Sequence, residues 1–257
     1  MSKKFSFIAR CRRKSVFYRA KTMEGIMTHS PKLLLFDIDG TLVSCGGAGK
    51  RAMLAAADDV LKKPLRHDFL RFAGMTDRWI LQELLRENGF PETEEVTHID
   101  QILEKYTICL SEELSRNGSV AVLPGVEELL AKTRENGFYC GLVTGNIRSG
   151  AAQKLGAVRL FEHFQFGAFG DDAIQRNLLP PLAVERAKAH TRMQFDNRDI
   201  WVIGDTPRDI ECGKINGFRT LAVATGGADF DTLKAHQPDA LLADFSDVSA
   251  CLAVFGE

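Results

Sequence analysis

No stretch of the 257-residue sequence approaches the roughly 20 apolar residues that a membrane-spanning helix needs. Neither sign of charge dominates: 33 Lys and Arg stand against 34 Asp and Glu, a formal net charge of −1. That balance calls for no nucleic acid and no membrane as a partner. Cysteine is present without a pattern. Among Cys11, Cys45, Cys109, Cys140, Cys212 and Cys251 no two form C-x-x-C, and none stands at metal-ligand spacing from the histidines. Reduced thiols in a cytoplasmic protein are the expected state. Internal repeats and low-complexity tracts are also lacking. What remains is ordinary globular composition, 45% hydrophobic and 26% charged. Its length suits one large domain, or one domain carrying a smaller insertion.

Acid is scarce at one place. Residues 1–30 carry Lys3, Lys4, Arg10, Arg12, Arg13, Lys14, Arg19 and Lys21 against Glu24 alone. There is no apolar core for a secretory signal. A basic leader of this kind resembles a transit peptide, but the segment is short and pattern-poor. The expectation is a disordered basic extension, or an over-long start with Met23 or Met27 as the true initiator.

From residue 32 onward, strand-like and helix-like segments alternate. LLLFDI at 33–38 is a short apolar run of the kind buried on both faces of a parallel sheet. Helical patterns follow at 48–61, at 77–88 ending in Asn88-Gly89, and at 93–115 ending near Asn117-Gly118. A further helix starts at Pro124 and stops at Asn136-Gly137. Then come a strand in FYCGLVTGN, helices near 149–155 and 181–192, and a strand in DIWVIGDTP. A helix at 210–216, a strand in FRTLAVATGG, a short strand and a closing helix complete the chain. Strands separated by helices imply βαβ units, an α/β fold with a Rossmann-like parallel sheet. The segment between the first two strands is too long for one crossover helix and carries its own helices. It is therefore expected to be a helical cap domain, residues 46–122, inserted into a core of residues 31–45 and 123–257.

In such sheets ligands bind beyond the carboxyl ends of the strands. Three strands here finish there in polar groups: Asp37 and Asp39, Thr144, and Asp205 with Asp209. Two positions apart in an extended chain, Asp37 and Asp39 point the same way. Crowded carboxylates repel unless one is protonated or a cation lies between them. Acids converging at one sheet edge suggest a hard divalent cation, and Mg²⁺ is typical with phosphate substrates. Gly40 leaves room for a sharp turn.

With these motifs in order, the chain resembles the haloacid dehalogenase superfamily, specifically its phosphatases with a helical cap, similar to phosphoglycolate phosphatase. DIDGT at 37–41, LVTGN at 142–146 and VIGDTPRD at 202–209 match three of that family's motifs. The resemblance covers essentially residue 31 to the C-terminus. It implies Asp37 as the nucleophile that forms an aspartyl-phosphate. It implies Asp39 as general acid and then base, with its backbone carbonyl on Mg²⁺. Thr41 would fix the loop and take part in phosphate binding. Thr144 with the amides of Gly145 and Asn146 would hold the phosphoryl oxygens. Asp205 would ligate Mg²⁺, completing a metal site with Asp37 and Asp39, and Asp209 would orient the site or hold a helix N-terminus.

The third family motif departs from its usual lysine. RNLLPPLAVERAK at 176–188 puts Arg176 in that register, with Lys188, deeper in the helix, as the competing cation. After DIDGT, Gly46 and Gly47 within CGGAGKR suggest a cap hinge that bears on specificity. The same stretch fails as a phosphate-binding P-loop, because Ser44 and Arg51 stand where Gly and Ser or Thr are required. In FAGMTDRWI, Thr76, Asp77 and Arg78 are candidate substrate contacts, with an ordinary helix cap by Thr76 as the competing reading. The implied activity is Mg²⁺-dependent hydrolysis of a small phosphate monoester, phosphoglycolate- or sugar-phosphate-like. A phosphomutase of the β-phosphoglucomutase type and a catalytically idle binding protein are the alternatives. A dehalogenase would need neither Asp39 nor a metal. Monomer and dimer stay open.

Overall fold

The computed structural model describes residues 31–117 and 120–256; the expectation for residues 1–30 lies outside them. Strands β1 (Leu33–Phe36) and β2 (Val43–Ser44) lead into helices α1 (Ala48–Leu61), α2 (Asp77–Glu87) and α3 (Glu92–Asn117). Strand β3 (Ala121–Val122), helix α4 (Val126–Glu135), strand β4 (Tyr139–Val143), helix α5 (Arg148–Ala157) and strand β5 (Gly167–Ala168) follow. Next come α6 (Leu179–Thr191), β6 (Ile200–Gly204), α7 (Pro207–Ile215), β7 (Arg219–Val223), α8 (Phe230–Ala235), β8 (Ala240–Leu242) and α9 (Val248–Gly256).

Six strands form one sheet in the order β5-β4-β1-β6-β7-β8, and every pairing in it is parallel. The chain thus builds outward from β1 in both directions. Crossovers on either side of β1 open a crevice at its carboxyl end. The all-apolar sequence of β1 has its reason in two buried faces. Leu34 and Phe36 join a core with α4, α5 and α9, while Leu33 and Leu35 join a second core with α6. Such a strand shows no polar alternation because neither face meets water. The expected α/β class and parallel sheet are present.

Between β2 and β3, which pair antiparallel through Val43–Val122 and Ser44–Ala121, lie the three helices α1 to α3. Helix α1 packs chiefly on α3. Its buried small residues, Ala48, Ala52, Ala56 and Ala57, recur at helical spacing and let the two axes approach closely. Helix α2 starts at Thr76, whose hydroxyl accepts the Trp79 amide at 3.2 Å, an N-cap of the usual kind.

Several elements differ from the sequence expectations. Helix α6 begins two residues earlier, at Leu179, led in by a short 3₁₀ turn at Arg176–Leu178. Helix α7 begins at Pro207 rather than residue 210, because proline fits the first helical turn. The β2–β3 ribbon, β5 and α8 were not expected. Strands of two residues are too short to carry a period, and the six-residue α8 depends on its Asp229 cap, whose carboxylate accepts the Thr232 amide at 2.7 Å.

Helix α9 closes the sheet face by an aromatic stack: Phe255 meets Trp201 edge-on at 5.4 Å and Phe138 at 6.2 Å. Phe255 is wholly buried. Phe255→Ala is expected to lower stability by about 3–5 kcal/mol. Urea unfolding followed by tryptophan fluorescence measures it, and a loss below about 1 kcal/mol would mean that α9 is not integral to the core.

Candidate active site

Asp37 directly follows β1, its amide donating to the Ile203 carbonyl at 2.9 Å. Asp205 directly follows β6 and Asp209 lies in the first turn of α7. Carboxylate oxygens of Asp37, Asp205 and Asp209 lie within 4.8 Å of one another, and all three residues are buried. Adjacent parallel strands bring them there, because β1 and β6 end in register, Phe36 beside Ile203.

One guanidinium stands among the three acids. Arg176 Nη2 lies 3.0 Å from Asp37 Oδ1 and also contacts Asp209 Oδ1. The Arg176 Nε is buried without a partner. Asp209 is further held at its other oxygen by Thr206, through the amide at 3.1 Å and the hydroxyl at 2.6 Å. This is half of a capping box, so Asp209 serves the α7 N-terminus and the acidic cluster together. Lys188, the competing cation, is elsewhere: it sits 3.7 Å from Glu185 on an outer face of α6.

Three carboxylates around one cation leave an excess of negative charge, and the acids respond. Burial above all pushes Asp37 up to about 6, with Asp209 and Asp39 adding repulsion and Arg176 opposing it. Burial followed by the charges of Asp209 and Asp37 pushes Asp205 up to about 8.

Thr41 is fully buried behind the acids. Its hydroxyl donates to Asp205 Oδ1 at 3.1 Å, so it holds an acid rather than facing the cavity. Gly40 adopts φ +81, and a Cβ there would fall 2.5 Å from Asp205 Oδ2. Only glycine allows both that backbone and that approach. The Thr225 hydroxyl fixes the turn by donating to the Gly40 carbonyl at 2.6 Å.

The acids open onto a cavity of about 330 Å³, a volume suited to a small molecule. Thr144, Gly145 and Asn146 line one wall. The Thr144 hydroxyl accepts from the Asn146 side-chain amide at 2.8 Å. Further lining comes from the β2–β3 insertion: Gly46 and Gly47 at the start of α1, the 72–75 loop, Asp77, Ile80 and Tyr106. Thr76 and Arg78 do not line the cavity. The Thr76 hydroxyl donates to the Ile174 carbonyl at 2.7 Å, and Arg78 pairs with Asp100 at 2.8 Å. Asp77 reaches the cavity wall, but its carboxylate accepts the Ile147 amide at 2.8 Å. Its own amide donates to the Gly145 carbonyl at 2.8 Å.

Asp39 parts from the acidic cluster. The expectation grouped its carboxylate with Asp37 and Asp205, whereas Asp209 completes that cluster and Asp39 turns to the cavity, half-exposed. Its Oδ2 accepts from the Asn146 amide at 2.8 Å and from Lys154 at 2.6 Å. Burial alone would raise its pKa. The Lys154 charge and the hydrogen bonds of Lys154, Asn146 and Cys45 overcome burial and hold it below the usual value.

Sequence reasoning missed Lys154. The signal was there: in RSGAAQKLGA it occupies the same buried helix face as Gly150, Ala151 and Leu155. A lysine among small apolar positions is unusual enough to ask what pairs with it.

The chain belongs to the haloacid dehalogenase-like hydrolase family, whose sequence model matches residues 34–223. It is therefore a hydrolase of that class. A probable phosphatase of Dickeya dadantii, IndB, is 25% identical over 218 residues, covering 84% of this chain and 91% of that protein. A phosphoglycolate phosphatase of Synechococcus elongatus is 25% identical over 221 residues, covering 84% and 94%. The crystal structure of a hydrolase from Pseudomonas syringae shares the fold with a TM-score of 0.66 at 23% identity, covering 86% of this chain and 98% of that one. Among the described residues no helix is long and apolar enough to cross a membrane.

Asp77 yields a pH prediction. Burial pushes it up to about 6, against the attraction of Lys154 and the Ile147 amide. The unfolded chain releases this proton near pH 4, about two units lower. The folded state therefore binds the proton more tightly. This stabilisation is complete below about pH 4 and is lost as pH rises through about 6. Asp77→Asn keeps an acceptor for Ile147 but cannot ionise. Relative to wild type, the Asn variant should gain up to roughly 3 kcal/mol between pH 4 and pH 7. Urea titrations across that range test it; parallel pH profiles would count against it.

Proposed function

We propose that this protein is a Mg²⁺-dependent phosphatase acting on a small phosphate monoester, phosphoglycolate- or sugar-phosphate-like, through an aspartyl-phosphate on Asp37. The observation that carries the reading is the meeting of Asp37, Arg176, Thr144 and the half-exposed Asp39 at one small cavity. The two curated relatives described above bear phosphatase names, which supports the same class of reaction.

In this reading Asp37 attacks phosphorus and the bond to the leaving oxygen breaks. The dianionic ester beside it raises the Asp39 pKa, so that Asp39 takes up a proton from solvent on Oδ1, the oxygen Lys154 leaves free, and gives it to the leaving oxygen; in the second step it accepts a proton from the hydrolytic water. Thr144, the amides of Gly145 and Asn146, and Arg176 hold the phosphoryl oxygens, over which the transition-state charge is spread. Thr41 and Asp209 act behind them, on Asp205 and Arg176.

The residues fit Mg²⁺. Once all three are ionised, the buried carboxylates leave two negative charges beyond the guanidinium, which a divalent cation would balance. Both Asp209 oxygens already have partners, so Asp37 and Asp205, with the Asp39 backbone carbonyl, are the proposed holders. Such hard oxygen donors suit Mg²⁺, which is bound by few carboxylates and keeps several waters. When bound, it neutralises charge on the transferred phosphoryl group.

We further read residues 46–122 as a cap that covers the substrate, and 31–45 with 123–257 as the core. The β2–β3 ribbon and the glycines at 46 and 47 would be the hinge, since both glycines have positive φ. Specificity then lies with cavity-facing cap residues, Asp77 among them.

Release of phosphate from 4-nitrophenyl phosphate tests the function. Activity is expected with Mg²⁺, to vanish with EDTA, and to be poorly restored by Ca²⁺. Asp37→Asn should be folded and inactive; turnover near wild type would overturn the nucleophile assignment. Arg176→Ala should lose about 2–4 kcal/mol of transition-state stabilisation, roughly a hundred- to a thousand-fold in rate. Arg176→Lys should recover part of that and Lys188→Ala should be nearly silent. Conversion of a sugar phosphate to its isomer without phosphate release would favour the mutase instead.

A further inference from the structure

The Lys154 ammonium lies on no exposed surface. Its side chain leaves the middle of α5 with 4% exposure. It passes under α1, where a Cβ at Gly49 would stand 3.5 Å from Cε and 3.2 Å from Nζ. It ends between two acceptors, Asp39 Oδ2 and Asn146 Oδ1, each at 2.6 Å. Asn146 in turn donates through Nδ2 to the same Asp39 oxygen and to the Thr144 hydroxyl, both at 2.8 Å. Lysine, asparagine and aspartate thus close a triangle of hydrogen bonds, with Thr144 at one corner.

Burying an ammonium carries a penalty of several kcal/mol unless a charge partner and hydrogen bonds compensate. Here the Asp39 carboxylate and the Asn146 carbonyl oxygen supply the hydrogen bonds, and the Asp39 charge, with Asp77 behind it, supplies the attraction. Asp39 lies in the turn after β1, where its backbone makes a single bridge, to Val43. The strand ladder does not hold its side chain. Two donors on Oδ2 fix the plane of the carboxyl group, while the residue stays 43% exposed toward the cavity.

We infer that Lys154 is a positioning residue for Asp39: with Asn146 it clamps the carboxyl group so that it faces the leaving-group oxygen of a bound ester. The inference rests on the phosphatase reading above and adds a residue that the family's motifs do not supply. A group that transfers a proton must lie within about 3 Å of the atom it serves. The clamp also links this acid to Thr144 on the phosphate-side wall, so both ends of the scissile bond refer to one rigid cluster.

Leaving groups that differ in their need for a proton separate this role from a structural one. Phenyl phosphate and 4-nitrophenyl phosphate have similar shapes, but nitrophenolate departs without protonation and phenolate does not. Because kcat/KM reports events up to formation of the aspartyl-phosphate, it isolates the step in which the leaving group departs. Lys154→Met should lose about tenfold or more in kcat/KM on phenyl phosphate beyond its loss on 4-nitrophenyl phosphate. Asp39→Asn should show the same split, and the double variant should widen it no further. Lys154→Gln, which keeps one donor in reach, should show a smaller split and carries the comparison if the Met variant fails to fold. Equal losses on the two esters, or additive splits in the double variant, would overturn the inference while leaving the phosphatase reading intact. A wild-type protein inert on both esters with Mg²⁺ overturns that reading and this inference with it.

Discussion

The site is organised around an electrostatic imbalance: three buried carboxylates, two at the ends of adjacent strands and one in the first turn of α7, answered by one guanidinium. Each desolvated charge is unfavourable by several kcal/mol on its own. The arrangement persists because the surrounding structure supplies specific partners. Thr206 and the α7 N-terminus hold Asp209, Thr41 holds Asp205, and Arg176 bridges Asp37 and Asp209. The raised pKa values of Asp37 and Asp205 express what stays uncompensated. A fold with this residue of charge is poised for a dication and a phosphate dianion together, since each offsets the other.

How far the sequence revealed this depends on which interactions are local. Strand β1 was legible because burial on both faces leaves an unbroken apolar run. Asp37, Thr144 and Asp205 were legible because a parallel sheet gathers strand ends at one edge, whatever the tertiary detail. Arg176 could be placed by its register ahead of the prolines. Asp209 was visible as an acid near a helix start, but its bond to Arg176 spans 33 positions and has no local signature. The direction of Asp39 was hidden for the same reason. Spacing of two puts its side chain beside that of Asp37 in a strand, but the chain turns at Gly40 and the partners that claim Asp39 are Asn146 after β4 and Lys154 in α5, 107 and 115 positions away.

Thr76 and Arg78 show the opposite limit. A loop that dips toward a site invites every polar residue in it to be read as a ligand contact. Hydrogen-bond accounting assigns them to partners away from the cavity: Thr76 caps α2 and reaches Ile174, and Arg78 faces Asp100 of α3. Asp77 remains at the cavity wall, yet its carboxylate satisfies the amide of Ile147, the buried residue that caps α5. Most buried polar atoms find partners, and for Thr76 and Asp77 those partners are backbone groups.

The Gly145 peptide takes part in two walls of the cavity. A Cβ there would fall 1.9 Å from the Met75 carbonyl oxygen, and its own carbonyl receives the Asp77 amide. The loop from the helical insertion therefore rests directly on the segment that carries Thr144. Three hydrogen bonds fasten it: Asp77 to Gly145, Ile147 to Asp77, and Thr76 to Ile174. At a net worth of about 1 kcal/mol each, such a seam yields to ordinary thermal fluctuation. The seam thus stitches the insertion to the core at the one peptide that flanks Thr144, and a side chain larger than hydrogen at position 145 would wedge the two apart.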